Sequence, residues 1–206
     1  MKLKLFAIFF ISSFLFAQST NDILKRIQNK FNSLNNFSAS FVQTTYGAQS
    51  VSSGKMSGTF IYKRKNKFVV EFKNRTIVSN GETIWNDDKR FKRVVISNLA
   101  DDPTTFSLER FIFNYPPLCK IKLINENNGG RPGEDLIEMV PKDQDMEFKS
   151  VKIWTASDGL ISKLEVIDLG DVRYAFQFTD YKLNLDIPDS KFSYNPPKGI
   201  QIIDLR

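Results

Sequence analysis

The stretch Gly58-Thr59-Phe60-Ile61-Tyr62-Lys63-Arg64-Lys65-Asn66-Lys67-Phe68-Val69-Val70-Glu71-Phe72 decides the fold class. Side chains along a strand point to alternate faces. One face carries Phe60, Tyr62, Arg64, Phe68, Val70 and Phe72, and the other carries Ile61, Lys63, Lys65, Lys67, Val69 and Glu71. The first is a wall of large apolar groups; the second is largely charged and solvated. Arg64 is the exception on the apolar face. A guanidinium keeps its charge and needs acceptors when buried, so parity predicts an inward Arg64 with partners. Lys65-Asn66-Lys67 has the character of a turn or bulge, across which register can slip.

The neighbouring segments give this wall company. Upstream, Phe37, Ala39, Phe41 and Gln43 alternate with Ser38, Ser40, Val42 and Thr44, a second strand. Gly47 to Ser57 reads as a Ser- and Gly-rich loop. Before the strand, Ser19-Thr20-Asn21-Asp22 has the form of a capping box, and Ile23, Ile27, Phe31 and Leu34 share one face of the helix it opens. Downstream, Asn80-Gly81 lies between Thr76 to Ser79 and Glu82 to Trp85, a strong hairpin signal. Phe91 to Ile96 is a further strand. Asp102-Pro103 then opens a short helix with Leu108, Phe111, Ile112 and Tyr115 as its apolar stripe and Pro116-Pro117 as its stop. The rest alternates strands and turns: Lys120 to Asn125, Asp135 to Val140, Phe148 to Thr155, Ile161 to Ile167 and Arg173 to Leu183, where Tyr174, Phe176 and Phe178 share a face. The expectation is a mainly β protein, an antiparallel sheet covered by helices.

Composition bounds the function. The chain has 206 residues, of which 41% are hydrophobic and 19 are Phe, enough for one domain with a large core or an apolar cavity. Lys2 and Lys4 precede the apolar run Leu5 to Phe16, and Ala17 suits the position before cleavage. Residues 1–17 are therefore expected to be a signal peptide, leaving a soluble exported domain over 18–206. The whole chain carries a net charge of +6; without Lys2 and Lys4, 27 basic residues stand against 23 acidic ones, a net +4. That suits anionic headgroups or an acidic partner, and no nucleic-acid-binding stripe is present. The chain has no His and a single Cys, Cys119. Histidine chemistry, thiolate metal clusters and intramolecular disulfides are thereby excluded. Asp87-Asp88, Asp101-Asp102 and Asp143 with Asp145 all read as turn or cap residues. No catalytic residue, metal or cofactor is expected. A sheet with one aromatic face and helices to cover it describes a carrier of something greasy.

The order of the motifs points to a family. A first helix is followed by Phe37-x-Ala39-x-Phe41-x-Gln43, then Gly58, Lys63-Arg64 and Phe68. Next come Val78-Ser79-Asn80-Gly81-x-Thr83-Ile84-Trp85 and finally Lys191-Phe192-x-Tyr194-x-Pro196-Pro197-x-Gly199-Ile200. In this order the chain resembles the LolA family of periplasmic carriers of outer-membrane lipoproteins. The resemblance implies an incomplete antiparallel β-barrel with an α-helical lid over an apolar cavity for acyl chains. It implies that Arg64 latches the lid; Lys65 stands where family members usually carry Pro, which leaves the turn less restrained. Phe60, Tyr62, Phe68, Val70, Phe72 and Trp85 are the expected cavity residues, and Leu108, Phe111, Ile112 and Tyr115 the expected lid. The implied partners are acylated lipoproteins, an inner-membrane ABC-type releasing complex and an outer-membrane acceptor, with the carrier a periplasmic monomer. The alternatives are a periplasmic lipid or glycolipid binder of the same fold with another cargo, and an envelope sensor module. The acceptor that shares this fold is itself a lipoprotein and needs a Cys at the cleavage site, which this chain lacks.

Overall fold

The computed structural model describes residues 19–47, 52–100, 107–124, 130–143 and 146–206. The apolar run Leu5 to Phe16, the Asp102-Pro103 helix start and Asp145 lie outside them.

Helix α1, Thr20–Ser33, opens as its sequence requires: the Ser19 hydroxyl accepts from the Asp22 N–H while the Asp22 carboxylate accepts from the Ser19 backbone. Its stripe, Ile23, Ile27 and Phe31, is buried, and Leu34 at the C-cap is 3% exposed. Among the described residues, twelve strands form one curved, open sheet. These are β1 Asn36–Tyr46, β2 Ser52–Lys63, β3 Lys67–Phe72, β4 Arg75–Asn80, β5 Thr83–Asp88, β6 Arg93–Asn98, β7 Cys119–Ile124, β8 Asp135–Pro141, β9 Phe148–Thr155, β10 Ile161–Asp168, β11 Arg173–Leu183 and β12 Gln201–Asp204. Their spatial order is β12-β6-β5-β4-β3-β2-β1-β11-β10-β9-β8-β7. All pairings are antiparallel except β12 with β6, which is parallel. The expected incomplete barrel is therefore present, with β12 and β7 as its edges.

Long pairing between β1 and β2 runs from Asn36↔Lys63 to Tyr46↔Ser52. The strand thus absorbs most of what the sequence presents as a loop at 47–57, because ladder hydrogen bonds outweigh the weak strand propensity of Ser and Gly. Gly58 sits where three strands crowd at the bend: a Cβ there would meet the Glu71 carbonyl oxygen at 2.1 Å and the Phe41 ring at 3.0 Å. On the other side of β1, a register shift between Ser38 and Ser40, with Asp180 at φ 53°, bends β11.

The curved sheet has two cores. The large one fills its concave face and includes Phe37, Phe60, Phe68, Ile84, Ile153 and Phe178. A smaller one lies on the convex face, where Val69, Val78 and Phe192 pack with Ile61, Trp85, Ile187 and Tyr194. The outer face of β3 is therefore not simply solvated: Val69 is 2% exposed beneath the 3₁₀ turn Asp189–Phe192. Asp87, expected at a turn, is instead strand-borne and buried in this second core, where its Oδ2 accepts from the Tyr194 hydroxyl at 2.6 Å. Its role is to bind the C-terminal segment to the sheet.

Candidate functional site

The concave face encloses a cavity of about 450 Å³, within the range of roughly 300–1,000 Å³ typical of ligand pockets. Its wall is aromatic. Phe41 comes from β1, Phe60 from β2, Phe68, Val70 and Phe72 from β3, and Phe176 and Phe178 from β11. The cross-strand partners Phe60↔Val70 and Tyr62↔Phe68 keep these residues on one face of both strands. Phe60 and Phe68 stack with centroids 6.2 Å apart, and Phe41 meets Phe72 edge-on at 5.2 Å. Phe111, from the helical segment above the sheet, completes the lining.

The cavity has a closed end and an open end. Alternating hairpins place the β2–β3, β4–β5 and β9–β10 turns at the closed end with α1. Helix α1 is fastened across that end by the Arg26–Asp135 ion pair, by Lys30–Asp158 at 3.3 Å, and by Gln28 Nε2 donating to the Ile112 carbonyl at 2.9 Å. The mouth, at the other end, is polar. Gln43, Arg75, Glu147, Asp168 and Tyr174 line it. Arg75 Nε donates to Asn86 Oδ1 at 2.7 Å. Asp168 Oδ1 accepts the Gly170 and Val172 N–H groups at 2.9 Å each and so braces its own turn. Burial, followed by the nearby Asp168 charge, raises the Tyr174 pKa.

The tip of the β2–β3 hairpin, Arg64-Lys65-Asn66, organises the closed end. Lys65 and Asn66 have φ 67° and 55°, so the strand ends at Lys63↔Lys67 and alternation stops there. Arg64 is consequently exposed and does not enter the cavity. Its Nε donates to the Leu34 carbonyl at 2.7 Å, and its Nη2 donates to the Asn32 carbonyl. It thus caps the last turn of α1, whose terminal carbonyls lack helical partners. Neither bond reaches the helix at 108–114. That helix is held instead by Glu109, whose carboxylate accepts the Asn66 N–H, and by Ser107, whose hydroxyl donates to Asn66 Oδ1 at 2.8 Å. The Tyr62 hydroxyl also bonds to Glu109. Burial first, then the Glu109 charge and this bond, raise the Tyr62 pKa well above its ordinary value of 10.0. Gly81 of the β4–β5 turn closes against the same tip: at φ 100°, its Cβ would meet the Lys65 carbonyl oxygen at 2.4 Å.

The expected site residues therefore divide. Phe60, Phe68, Val70 and Phe72 line the cavity. Tyr62 shares their face but lies under α1, its ring 5.2 Å from Phe37 and 6.3 Å from Phe31. Trp85 is a correction: it occupies the convex face with Val78 and Phe192, because Ile84, its neighbour, is the inward residue of β5. Among the lid residues, Leu108 and Ile112 are buried at 1% and 0% exposure, and Phe111 reaches the cavity. Tyr115 leans aside, 5.2 Å from both Phe111 and Phe148. The segment Arg110–Asn114 is a π-helix, closed by Tyr115 N–H to the Arg110 carbonyl at 2.8 Å; its wider turn spreads the stripe that α-helical spacing groups together. Sequence reasoning misses Glu109 and Asn66, whose polar types give no sign of a shared partner. It also leaves out the mouth residues, although alternation puts Tyr174, Phe176 and Phe178 on one face. Among the described residues, no group of three or more His, Cys, Asp or Glu side chains is placed to hold a metal ion, and no helix is long and apolar enough to cross a membrane.

This geometry has relatives. The family model described as outer membrane lipoprotein carrier protein LolA matches residues 32–195. An outer-membrane lipoprotein carrier protein of Yersinia pestis bv. Antiqua (strain Angola) is 25% identical over 209 residues, covering 100% of both chains. The protein of that name from Francisella philomiragia subsp. philomiragia is 24% identical over 203 residues, covering 95% of this chain and 93% of the relative. A solved structure, an uncharacterized conserved protein from Thermus thermophilus, superposes with a TM-score of 0.55 at 16% identity, covering 91% of this chain and 99% of that one, and shares the fold. The match spans most of the chain, from the end of α1 through the hairpin tip and the aromatic wall: the protein belongs to the LolA family of outer membrane lipoprotein carriers.

Proposed function

We propose that this protein shuttles acylated lipoproteins across the periplasm, holding their acyl chains in the cavity between Phe41 and Phe178. The observation that carries the reading is that cavity: aromatic, built on the curved sheet, and rimmed by the polar residues Gln43, Arg75, Glu147, Asp168 and Tyr174. An ABC-type complex of the inner membrane supplies the cargo and an outer-membrane acceptor takes it. The exported chain begins near Gln18, and no catalysis is involved.

Each methylene moved from water into the cavity contributes roughly 0.8 kcal/mol, so a deep pocket would never release its load. A carrier needs an empty state that competes with the loaded one. The hairpin tip supplies it. Arg64 holds α1 and Glu109 holds the lid helix, and cargo that pries either away must break those bonds. The two contacts together are the latch, in place of Arg64 alone.

A hydrophobic-pocket dye tests the cavity. It is expected to bind the folded protein and to be displaced by a triacylated lipopeptide. Absence of binding, or displacement only on denaturation, would show the aromatic face to be solid core. Mass spectrometry of molecules copurifying from the periplasmic fraction then distinguishes lipoproteins from a lipid or glycolipid cargo.

A further inference from the structure

We propose that the mouth end of the barrel docks directly on an anionic lipid bilayer. The proposal rests on the carrier reading and adds how the acyl chain crosses the gap between membrane and cavity.

Charge is distributed unevenly around the mouth. On one side lie the β3–β4 and β5–β6 turns, joined by the Lys89 N–H to Asn74 carbonyl bond at 3.0 Å. Six cations, Lys73, Arg75, Lys89, Arg90, Lys92 and Arg93, stand on these two turns and the strand ends beside them, against one carboxylate there, Asp88. Asp88 is already engaged by Arg90 at 2.8 Å. On the other side, Lys142, Lys149 and Arg173 are outnumbered by Asp143, Glu147, Asp168 and Asp171. Arg75 lines the cavity itself, so the cationic side begins at the rim.

Apolar tips project from the same end. Phe91, at the crown of the β5–β6 turn, is 65% exposed, and Leu169, at the crown of the β10–β11 turn across the mouth, is 58% exposed. Two guanidinium groups flank the Phe91 ring, Arg90 at 5.4 Å and Arg93 at 5.7 Å. An exposed ring flanked by cations is matched to the headgroup layer: the ring enters the interface while the cations meet lipid phosphates. A protein partner would need complementary carboxylates and a shaped recess for Phe91. A bilayer needs neither, and the two tips straddle the opening through which a chain must pass. With the mouth against the membrane, acyl chains handed over by the releasing complex enter the cavity without crossing water.

The test is co-sedimentation with vesicles of phosphatidylethanolamine and phosphatidylglycerol, against vesicles of phosphatidylcholine alone. Wild type is compared with Phe91→Ser/Leu169→Ser and with Lys73→Gln/Lys89→Gln, all purified from the same cellular fraction so that the N-terminus is common. Wild type should bind the anionic vesicles and dissociate as salt screens the contact. The double-Gln variant should lose about 25-fold in affinity, roughly fivefold per cation, and the double-Ser variant roughly tenfold or more, with thermal midpoints and pocket-dye binding unchanged. Equal binding to neutral vesicles, or unchanged vesicle binding by both variants, as when the patch serves a protein instead, would overturn the proposal. Dye binding that persists while vesicle binding is absent removes docking alone. Loss of dye binding in wild type removes the carrier reading.

Discussion

The two ends of the barrel are built on different principles. At the closed end, nearly every group has a partner: Phe37 is fully buried among Phe31, Phe60, Tyr62 and Tyr181, and the hairpin tip shares hydrogen bonds with α1, the helix at 108–114 and β4. At the mouth, half-buried Phe72, Ile77 and Phe176 stand beside charged and exposed turn residues. Stability is concentrated at one end and access at the other. The same aromatic residue type thus performs two tasks, packing where neighbours fill the space around it and lining where they do not.

The largest expected effect separates these tasks. Phe37→Ala should lower stability by about 3–5 kcal/mol, the usual cost of truncating a buried Phe. Phe176→Ala at the mouth should cost about 1 kcal/mol or less and instead weaken pocket-dye binding. Urea unfolding followed by intrinsic fluorescence, with dye titration in parallel, measures both. Similar stability losses for the two variants would erase the distinction between the ends.

Next in size is the lid fastening. Glu109→Ala removes a charged acceptor from the Asn66 N–H and the Tyr62 hydroxyl, worth about 1.5–3 kcal/mol for charge-assisted bonds. The lid helix should open more often. Faster amide hydrogen exchange over residues 107–115 and severalfold tighter dye binding are expected, with exchange at the mouth unaltered.

Arg64→Leu should act on α1 and less strongly, by about 1 kcal/mol, because Arg64 is exposed and caps carbonyls at a helix end. Pick-up of cargo from inner membranes should persist while onward transfer to outer membranes slows. A two-step transfer assay reads both stages, and normal onward transfer would show that the cap on α1 does not contribute to the latch. Combining Arg64→Leu with Glu109→Ala sharpens the comparison. If both contacts hold one closed state, the double variant should show more than either effect alone.

The smallest effect concerns acid. Hydrogen bonds from Lys63 and Lys67 lower the Asp189 pKa below its ordinary 3.8. A depressed carboxyl pKa stabilises the fold above the unfolded value and loses that contribution as pH falls through the folded one. Asp189→Asn should therefore leave stability nearly unchanged below that range and lower it slightly at neutral pH. The Asp189 contacts tie the convex-face turn to the β2–β3 hairpin, so cavity-dye affinity should stay constant throughout. Alkali works in the opposite direction at the closed end. The Tyr62 pKa is raised above its ordinary 10.0, so the neutral hydroxyl stabilises the fold below that value and its contribution is lost as pH rises through the folded one.

Much of this was legible in the sequence because it depends on local rules. The Ser19 capping box, the alternation through Phe60 and Phe72, the Asn80-Gly81 turn and the shared face of Tyr174, Phe176 and Phe178 follow from periodicity and backbone preference, which act over a few residues. Tertiary structure decided what those rules cannot reach. Ser52 to Ser57 pair because β1 offers them a ladder. Trp85 faces outward because Phe192, far along the chain, covers it there. Arg64 stays out of the cavity because two left-handed residues follow the end of its strand beside α1, and Glu109 binds the hairpin tip because the Asn66 amide lies opposite it. In each case the deciding contact joins residues far apart in the chain, and its energy exists only once the sheet has curved enough to bring them together.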